Sequence, residues 1–194
     1  MSETAISDNT HSGAVSTGVR EEMQQEVQQF LTFIISGESY GIAILNVKEI
    51  LEYGHVTPVP MMPSFIAGVI NLRGSVVPVI DMANRFQVPS SAVDKKTCVI
   101  VIEVNDADKA LEVGIMVDRV NEVLELKTEM LSPAPKFGTN IRTDFIHSMG
   151  KLENEQFIIL LDVDRVLSID ELSIIKQAGE IPPEELESIE IKHH

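Results

Sequence analysis

The chain has 194 residues, 44 % of them hydrophobic, and its thirty Asp and Glu against fifteen Lys and Arg leave a formal net charge of −15. Such a charge repels phosphate backbones and anionic lipid surfaces, which argues against nucleic acid and direct membrane insertion as partners. No run nears the roughly 18 apolar residues a bilayer span needs, the first 20 residues hold no apolar signal core, and the single cysteine, Cys98, can form no internal disulfide, so a cytoplasmic location is expected. Residues 1–26 are polar, small and aperiodic and read as a disordered N-terminal arm, with at most a marginal helical turn over Arg20–Gln29. From Val27 onward, short apolar runs punctuated by turn residues predict an all-β domain. The expected strands are Phe30–Ser36, Ser39–Ala43, Ile50–Thr57, Ala67–Leu72, Val76–Asp81, Thr97–Val104, Leu111–Val117, Val120–Lys127, His147–Leu152 and Phe157–Leu161. Gly37-Glu38 and Arg73-Gly74-Ser75 read as tight hairpin turns, where glycine supplies a positive φ, and Asn105–Lys109 reads as a longer polar loop. Short helices are expected at Ala83–Phe86, Asp162–Val166 and Ile169–Lys176. Pro182-Pro183 stops the last of them before an acidic tail over 177–194, whose closing His193-His194 is native or a tag remnant.

An internal repeat organises these strands. Residues 40–52, YGIAILNVKEILE, align without a gap to residues 113–125, VGIMVDRVNEVLE, with Gly41/Gly114, Ile42/Ile115, Val47/Val120, Glu49/Glu122, Leu51/Leu124 and Glu52/Glu125 identical. Phe65-Ile66 followed by Val79-Ile80-Asp81 is echoed, in the same order, by Phe145-Ile146 followed by Leu160-Leu161-Asp162. Residues of about 27–88 and 96–168 are therefore expected to be structurally related halves. Each holds about five strands, the number that closes a small barrel and covers its edges.

Signatures of catalysis are missing from the sequence. His11, His55 and His147 are scattered singly, with no HExxH, no Cys/His metal spacing and no GxSxG elbow. Asp162-Val163-Asp164 starts like a calcium loop, but Leu167 stands where glycine is required and Ser173 where the bidentate Glu belongs. Gly68–Gly74 lacks the glycine spacing and the lysine of a phosphate loop. No catalytic residue, metal site or cofactor is expected. Cys98, inside an apolar run without a neighbouring cation, reads as a small core residue rather than a nucleophile. Features suited to binding do occur. Arg73 at a hairpin tip is either a solvated turn residue or a guanidinium posed on a rigid support. Glu49, between Val47 and Ile50 with Lys48, is either an ordinary surface charge or its counterpart. Gly41, Gly68 and Gly114 read equally as positions that permit close strand approach.

The order of QFLTF, SYGIAILNVKEIL, PSFIAGVINLRGSVVPVIDM, VGIMVDRVNEVLEL, SPAP and FIILLDVDRVLS resembles the CheW chemotaxis coupling proteins, over about residues 27–176. The resemblance implies two intertwined five-stranded SH3-like β-barrels with short helices, and an adaptor that couples a histidine kinase to transmembrane chemoreceptors by protein binding. It implies that Arg73 and Glu49 form a functional pair. It also places Val47, Gly68, Val99, Gly114 and Val123 at a receptor-binding groove between the barrels. The implied partners are the kinase's regulatory domain, met barrel against barrel, and the cytoplasmic tip of the receptors, so that membrane association is indirect. The alternatives are a truncated CheV-type adaptor, which would carry a receiver domain beyond the roughly 18 residues after Lys176, and a small barrel for a ligand or an oligonucleotide. The aromatic content of 5 %, without Trp, opposes stacked bases, and an enzyme built from dispersed residues is the remaining rival.

Overall fold

Runs rich in Val and Ile, alternating or wholly apolar and broken every six to nine residues by a turn, bury best as pleated strands. The computed structural model of the chain describes residues 26–54, 56–106, 109–136 and 141–167, with Glu171, Ser173, Ile174 and Gln177. Its strands are β1 (Val27–Ile35), β2 (Glu38–Ala43), β3 (Val47–Glu52), β4 (Ile66–Leu72), β5 (Ser75–Asp81), β6 (Cys98–Asp106), β7 (Lys109–Val117), β8 (Arg119–Lys127), β9 (Leu131–Pro133), β10 (Ile146–Lys151) and β11 (Phe157–Leu161). A short helix, α1 (Met82–Phe86), follows β5. Asp81 caps it, its Oδ1 accepting the Asn84 N–H at 3.0 Å.

Two sheets form, in the orders β8-β1-β2-β11-β10-β9 and β3-β6-β7-β5-β4. Laid side by side, the repeat maps one onto the other strand for strand, β8 to β3, β1 to β6, β2 to β7, β11 to β5 and β10 to β4. Gly41 lies opposite Leu160 in the parallel β2–β11 pair, as Gly114 lies opposite Val79 in the parallel β7–β5 pair. The Asp81 N–H donates to the Phe65 carbonyl at 2.8 Å, and the Asp162 N–H to the Phe145 carbonyl at 2.9 Å. Each aligned segment also leaves its own sheet: β2 and β3 lie in different sheets, and so do β7 and β8. The two sequence halves are thus exchanged between the sheets, which intertwines them.

Both sheets curl until their ends meet. Arg73, in the β4–β5 turn, reaches Glu49 on β3, so the two ends of the five-stranded order touch. In the other sheet a Cβ built on Gly150 of β10 would stand 2.6 Å from the Leu126 Cδ1 of β8. These are the two SH3-like barrels. Phe30, Leu126, Ile158 and Leu160 fill one of them. The large core lies between the sheets, where Phe33, Tyr40 and Ile42 meet Ile80, Ile100, Ile102 and Ile115 over Met82 and Phe86. Full burial of such side chains contributes about 1.5–3 kcal/mol each before entropy is subtracted.

Several expectations need correction. The third strand runs over Val47–Glu52, not Ile50–Thr57; Thr57 forms only an isolated bridge to Val69. Its counterpart in the other barrel is β9, a sixth strand the sequence did not announce, so one sheet exceeds the expected five. Pairing continues through Asn105↔Ala110 and Asp106↔Lys109, which shortens the expected loop. Asp162–Val166 is a turn rather than a helix: the Asp162 side chain accepts the Asp164 N–H at 3.1 Å and competes with helical bonding. Short 3₁₀ turns appear instead at Ile44–Asn46, Thr128–Met130 and Thr143–Phe145. Glu171, Ser173, Ile174 and Gln177 are helical. The N-terminal arm to residue 25, His11, His55, Pro182-Pro183 and the acidic tail beyond Gln177 lie outside the described residues.

Arg85 of α1 joins the two copies of the repeat. Its guanidinium lies 5.0 Å from the Phe65 ring centroid and 4.9 Å from that of Phe145, the two repeat-related phenylalanines. Its Nε donates to the Val166 carbonyl at 2.7 Å, and a terminal nitrogen pairs with Glu171 at 2.9 Å. Desolvation lowers its pKa from the ordinary arginine value, with Glu171 opposing the shift. Arg85→Lys keeps the charge but loses the planar fork and the stacking. Equilibrium urea unfolding should show a loss of about 1–2 kcal/mol.

Candidate functional site

A two-residue loop with positive φ at both positions matches the twist of the strands it joins. Arg73 (φ 52°) and Gly74 (φ 87°) make such a loop between β4 and β5, and the Asn71 side chain accepts the Gly74 N–H at 3.0 Å. Ser36 (φ 52°) and Gly37 (φ 83°) repeat this geometry between β1 and β2. Arg73 is therefore held at the first central position of a turn in which a branched or bulky residue is rare. On β3, the ladder to β6 slips between Val47 and Glu49, leaving Lys48 in the irregular register. Lys48 turns to Glu103, whose carboxylate bonds to its ammonium and raises the lysine pKa.

Across the barrel seam the Arg73 guanidinium meets the Glu49 carboxylate at two points, 3.0 and 3.1 Å. This is the fork-to-fork geometry that only arginine provides. The arginine side chain is 79 % exposed and the carboxylate 23 %. At that exposure the pair stabilises the fold by only about 0–1 kcal/mol. Its consequence is positional, since two bonds fix the plane of the guanidinium while its other N–H donors face solvent.

The other sequence-predicted residues divide into two kinds. Val47 is half-buried and Val123, on β8 of the other barrel, is 45 % exposed. Val99 is 2 % exposed, and Gly68 and Gly114 are buried as well. Val99 and Gly114 are side by side: a Cβ on Gly114 would lie 2.7 Å from Val99 Cγ1 and 3.2 Å from Val79 Cγ2. Gly68 sits at a β-bulge with φ 151°. Sequence reasoning passed over Ile50, the repeat equivalent of Val123, which is likewise 45 % exposed and stands next to Glu49. The repeat alignment itself was the signal that pairs them. It also passed over Leu45, an exposed leucine in the 3₁₀ turn before β3.

Among the described residues no three His, Cys, Asp or Glu side chains converge as a metal site would require. No helix there is long and apolar enough to cross a membrane.

Comparison with known proteins agrees with this architecture. The family model described as the CheW-like domain matches residues 29–171. The chain is 40 % identical over 148 residues to the chemotaxis protein CheW of Klebsiella aerogenes, covering 76 % of this chain and 86 % of that one. It is 33 % identical over 155 residues to the chemotaxis protein CheW of Helicobacter pylori, covering 80 % and 90 %. The crystal structure of the scaffolding protein TtCheW from Thermoanaerobacter tengcongensis superposes with a TM-score of 0.68 at 28 % identity, covering 77 % of this chain and 94 % of that one. With its exchanged barrels and its Arg73–Glu49 seam, the chain belongs to the CheW family of chemotaxis adaptors.

Proposed function

We propose that this protein couples a chemotaxis histidine kinase to the cytoplasmic tip of transmembrane chemoreceptors by binding alone, without turnover. The observation that carries the reading is the two-point Arg73–Glu49 pair, an exposed guanidinium posed on a rigid turn. Residues 27–176 are the working unit, located in the cytoplasm and associated with the membrane only through the receptors. One surface engages the kinase's regulatory domain, barrel against barrel. Another grips the receptor tip in a groove edged by Val47 and Val123, while Gly68, Val99 and Gly114 set the strand spacing beneath it. Contacts of this sort bury about 800 Å² per partner, with a few central residues carrying most of the energy.

A pull-down tests this. The protein is mixed with a chemotaxis kinase and a receptor signalling fragment, and Arg73→Glu is compared with wild type. The substitution sets two carboxylates against each other at the seam. Wild type should recover the three-component complex and the variant should not, while both keep the same circular dichroism. Equal recovery by the two proteins would sink the assignment.

A further inference from the structure

The β1–β2 turn and the end of α1 border a half-open cavity of about 310 Å³ lined by Ile35, Ser36, Glu38, Tyr40, Gln87, Val88 and Pro89. That volume falls at the lower end of the range of small-ligand pockets. Tyr40 gives it an unusual floor. The residue is 1 % exposed, and its ring is fixed between Phe33 and Phe86, with centroids at 6.4 and 5.4 Å. Its hydroxyl has no hydrogen-bond partner among the described residues. Yet no buried side-chain oxygen or nitrogen there is both sealed from solvent and unpartnered. The Tyr40 hydroxyl must therefore keep an opening to solvent, and this cavity supplies it. Burial and the nearby Glu38 carboxylate push the phenol up to about 12, so the hydroxyl keeps its proton and can donate a hydrogen bond at any physiological pH.

The remaining polar groups lie on the rim: Glu38 and Gln87 are exposed and Ser36 is half-buried. Glu38 has no cation paired with it among the described residues, on a chain that is already strongly acidic. Ser36 is held by its φ of 52° and by its N–H, which donates to Asp118 at 2.8 Å, so its hydroxyl stays available. Gln87 is held as the left-handed cap of α1, its N–H donating to the Asn84 carbonyl at 3.1 Å, with its side-chain amide unengaged. Ile35, Val88 and Pro89 supply apolar walls. A polar group held in an almost wholly buried side chain without a protein partner gains affinity for whatever satisfies it, and here that group is the Tyr40 hydroxyl.

We infer that this cavity binds a small primary ammonium group with a neutral carbonyl close by, the ammonium on Glu38 and the carbonyl accepting from the Tyr40 hydroxyl. Ser36 and Gln87 complete the ring of donors and acceptors. A carboxylate in place of the carbonyl would set a second negative charge beside Glu38, so the ligand is cationic overall. The same chemistry can arrive as a free amino-acid amide or as the N-terminal ammonium and first carbonyl of a peptide.

Titration followed by amide NMR shifts tests the inference and separates the two sources. The probes are glycinamide for the free amino-acid amide and triglycinamide for the peptide N-terminus, with acetamide and acetate as controls. One or both amines should give saturable shifts at Ser36, Glu38, Tyr40, Gln87 and Val88 in the millimolar range, and the controls should give none. Tyr40→Phe, which removes one oxygen and leaves the ring stacks, should weaken binding about tenfold, and Glu38→Gln, on the exposed rim, should do the same. Unchanged shifts elsewhere in the spectrum confirm that each variant is folded. No saturable shift with either amine overturns the proposal, as does binding that both variants leave intact.

Discussion

Gly68→Ala is expected to lower the unfolding free energy by about 3–5 kcal/mol, a large fraction of the roughly 5–15 kcal/mol a domain possesses. Two independent costs add at this position. At φ 151° an L-residue enters a region occupied almost only by glycine, at about 1–3 kcal/mol. The added Cβ would also lie 2.2 Å from the Thr57 carbonyl oxygen and 2.7 Å from its carbon. Those are backbone atoms and cannot step aside cheaply. Thr57 is tied to Val69 by two 2.9 Å hydrogen bonds, N–H to carbonyl in each direction, so relief means breaking that bridge. Overpacking of this sort costs about 1–3 kcal/mol more. Gly74→Ala is the control: it shares a positive φ, 87°, but meets no atom within 4 Å. It should cost only about 1 kcal/mol. Urea melts should show a lower midpoint with an unchanged slope for Gly68→Ala. If the two variants prove equally mild, the bulge is softer than its geometry implies. Any loss of receptor binding in Gly68→Ala would then have to be read as a direct contact.

Much of this fold was legible because the repeat and the hairpin turns act over short distances. Arg73-Gly74 between two β-branched runs predicts its hairpin, and the aligned pairs Gly41/Gly114 and Phe65/Phe145 predict equivalent places in two barrels. Errors gathered where a local rule met a tertiary one. The start of β3 is hidden in the sequence because the bulge after Val47 disguises the alternation through Lys48 and Glu49. β9 is three residues long and ends in proline, too brief to register in a pattern. Asp162 has the look of a helix start in the sequence, but its own side chain closes a turn. Val99 could have been placed inside the barrel, since a continuous apolar run signals a strand buried on both faces. The cavity around Tyr40 could not have been found this way. It needs Gln87 brought beside the β1–β2 turn and Phe86 stacked on Tyr40, contacts that no periodicity encodes. Likewise, Glu49 and Arg73 meet only because the sheet closes.

Arg73→Ala should weaken partner assembly by about 2 kcal/mol or more, roughly thirtyfold in Kd, while changing folding stability by less than about 1 kcal/mol. The separation is expected from what the substitution leaves alone. Alanine carries the same Cβ as arginine, so the strain at φ 52° is unchanged, and the Asn71 bond to the Gly74 N–H still closes the turn. What disappears is an exposed ion pair of small intrinsic worth and a guanidinium whose remaining donors face outward. Arg73→Lys should fall between, since an ammonium keeps the charge but cannot hold two-point geometry on Glu49. Glu49→Gln distinguishes orientation from contact. If Glu49 acts by posing Arg73, its loss should cost less than Arg73→Ala, and the double variant should be no worse than Arg73→Ala alone. Titration calorimetry with the kinase regulatory domain and with a receptor fragment, alongside thermal melts, reads both quantities. A stability loss with intact binding would instead make the pair a seam fastener for the barrel, and the docking surface would have to be sought around Ile50 and Leu45.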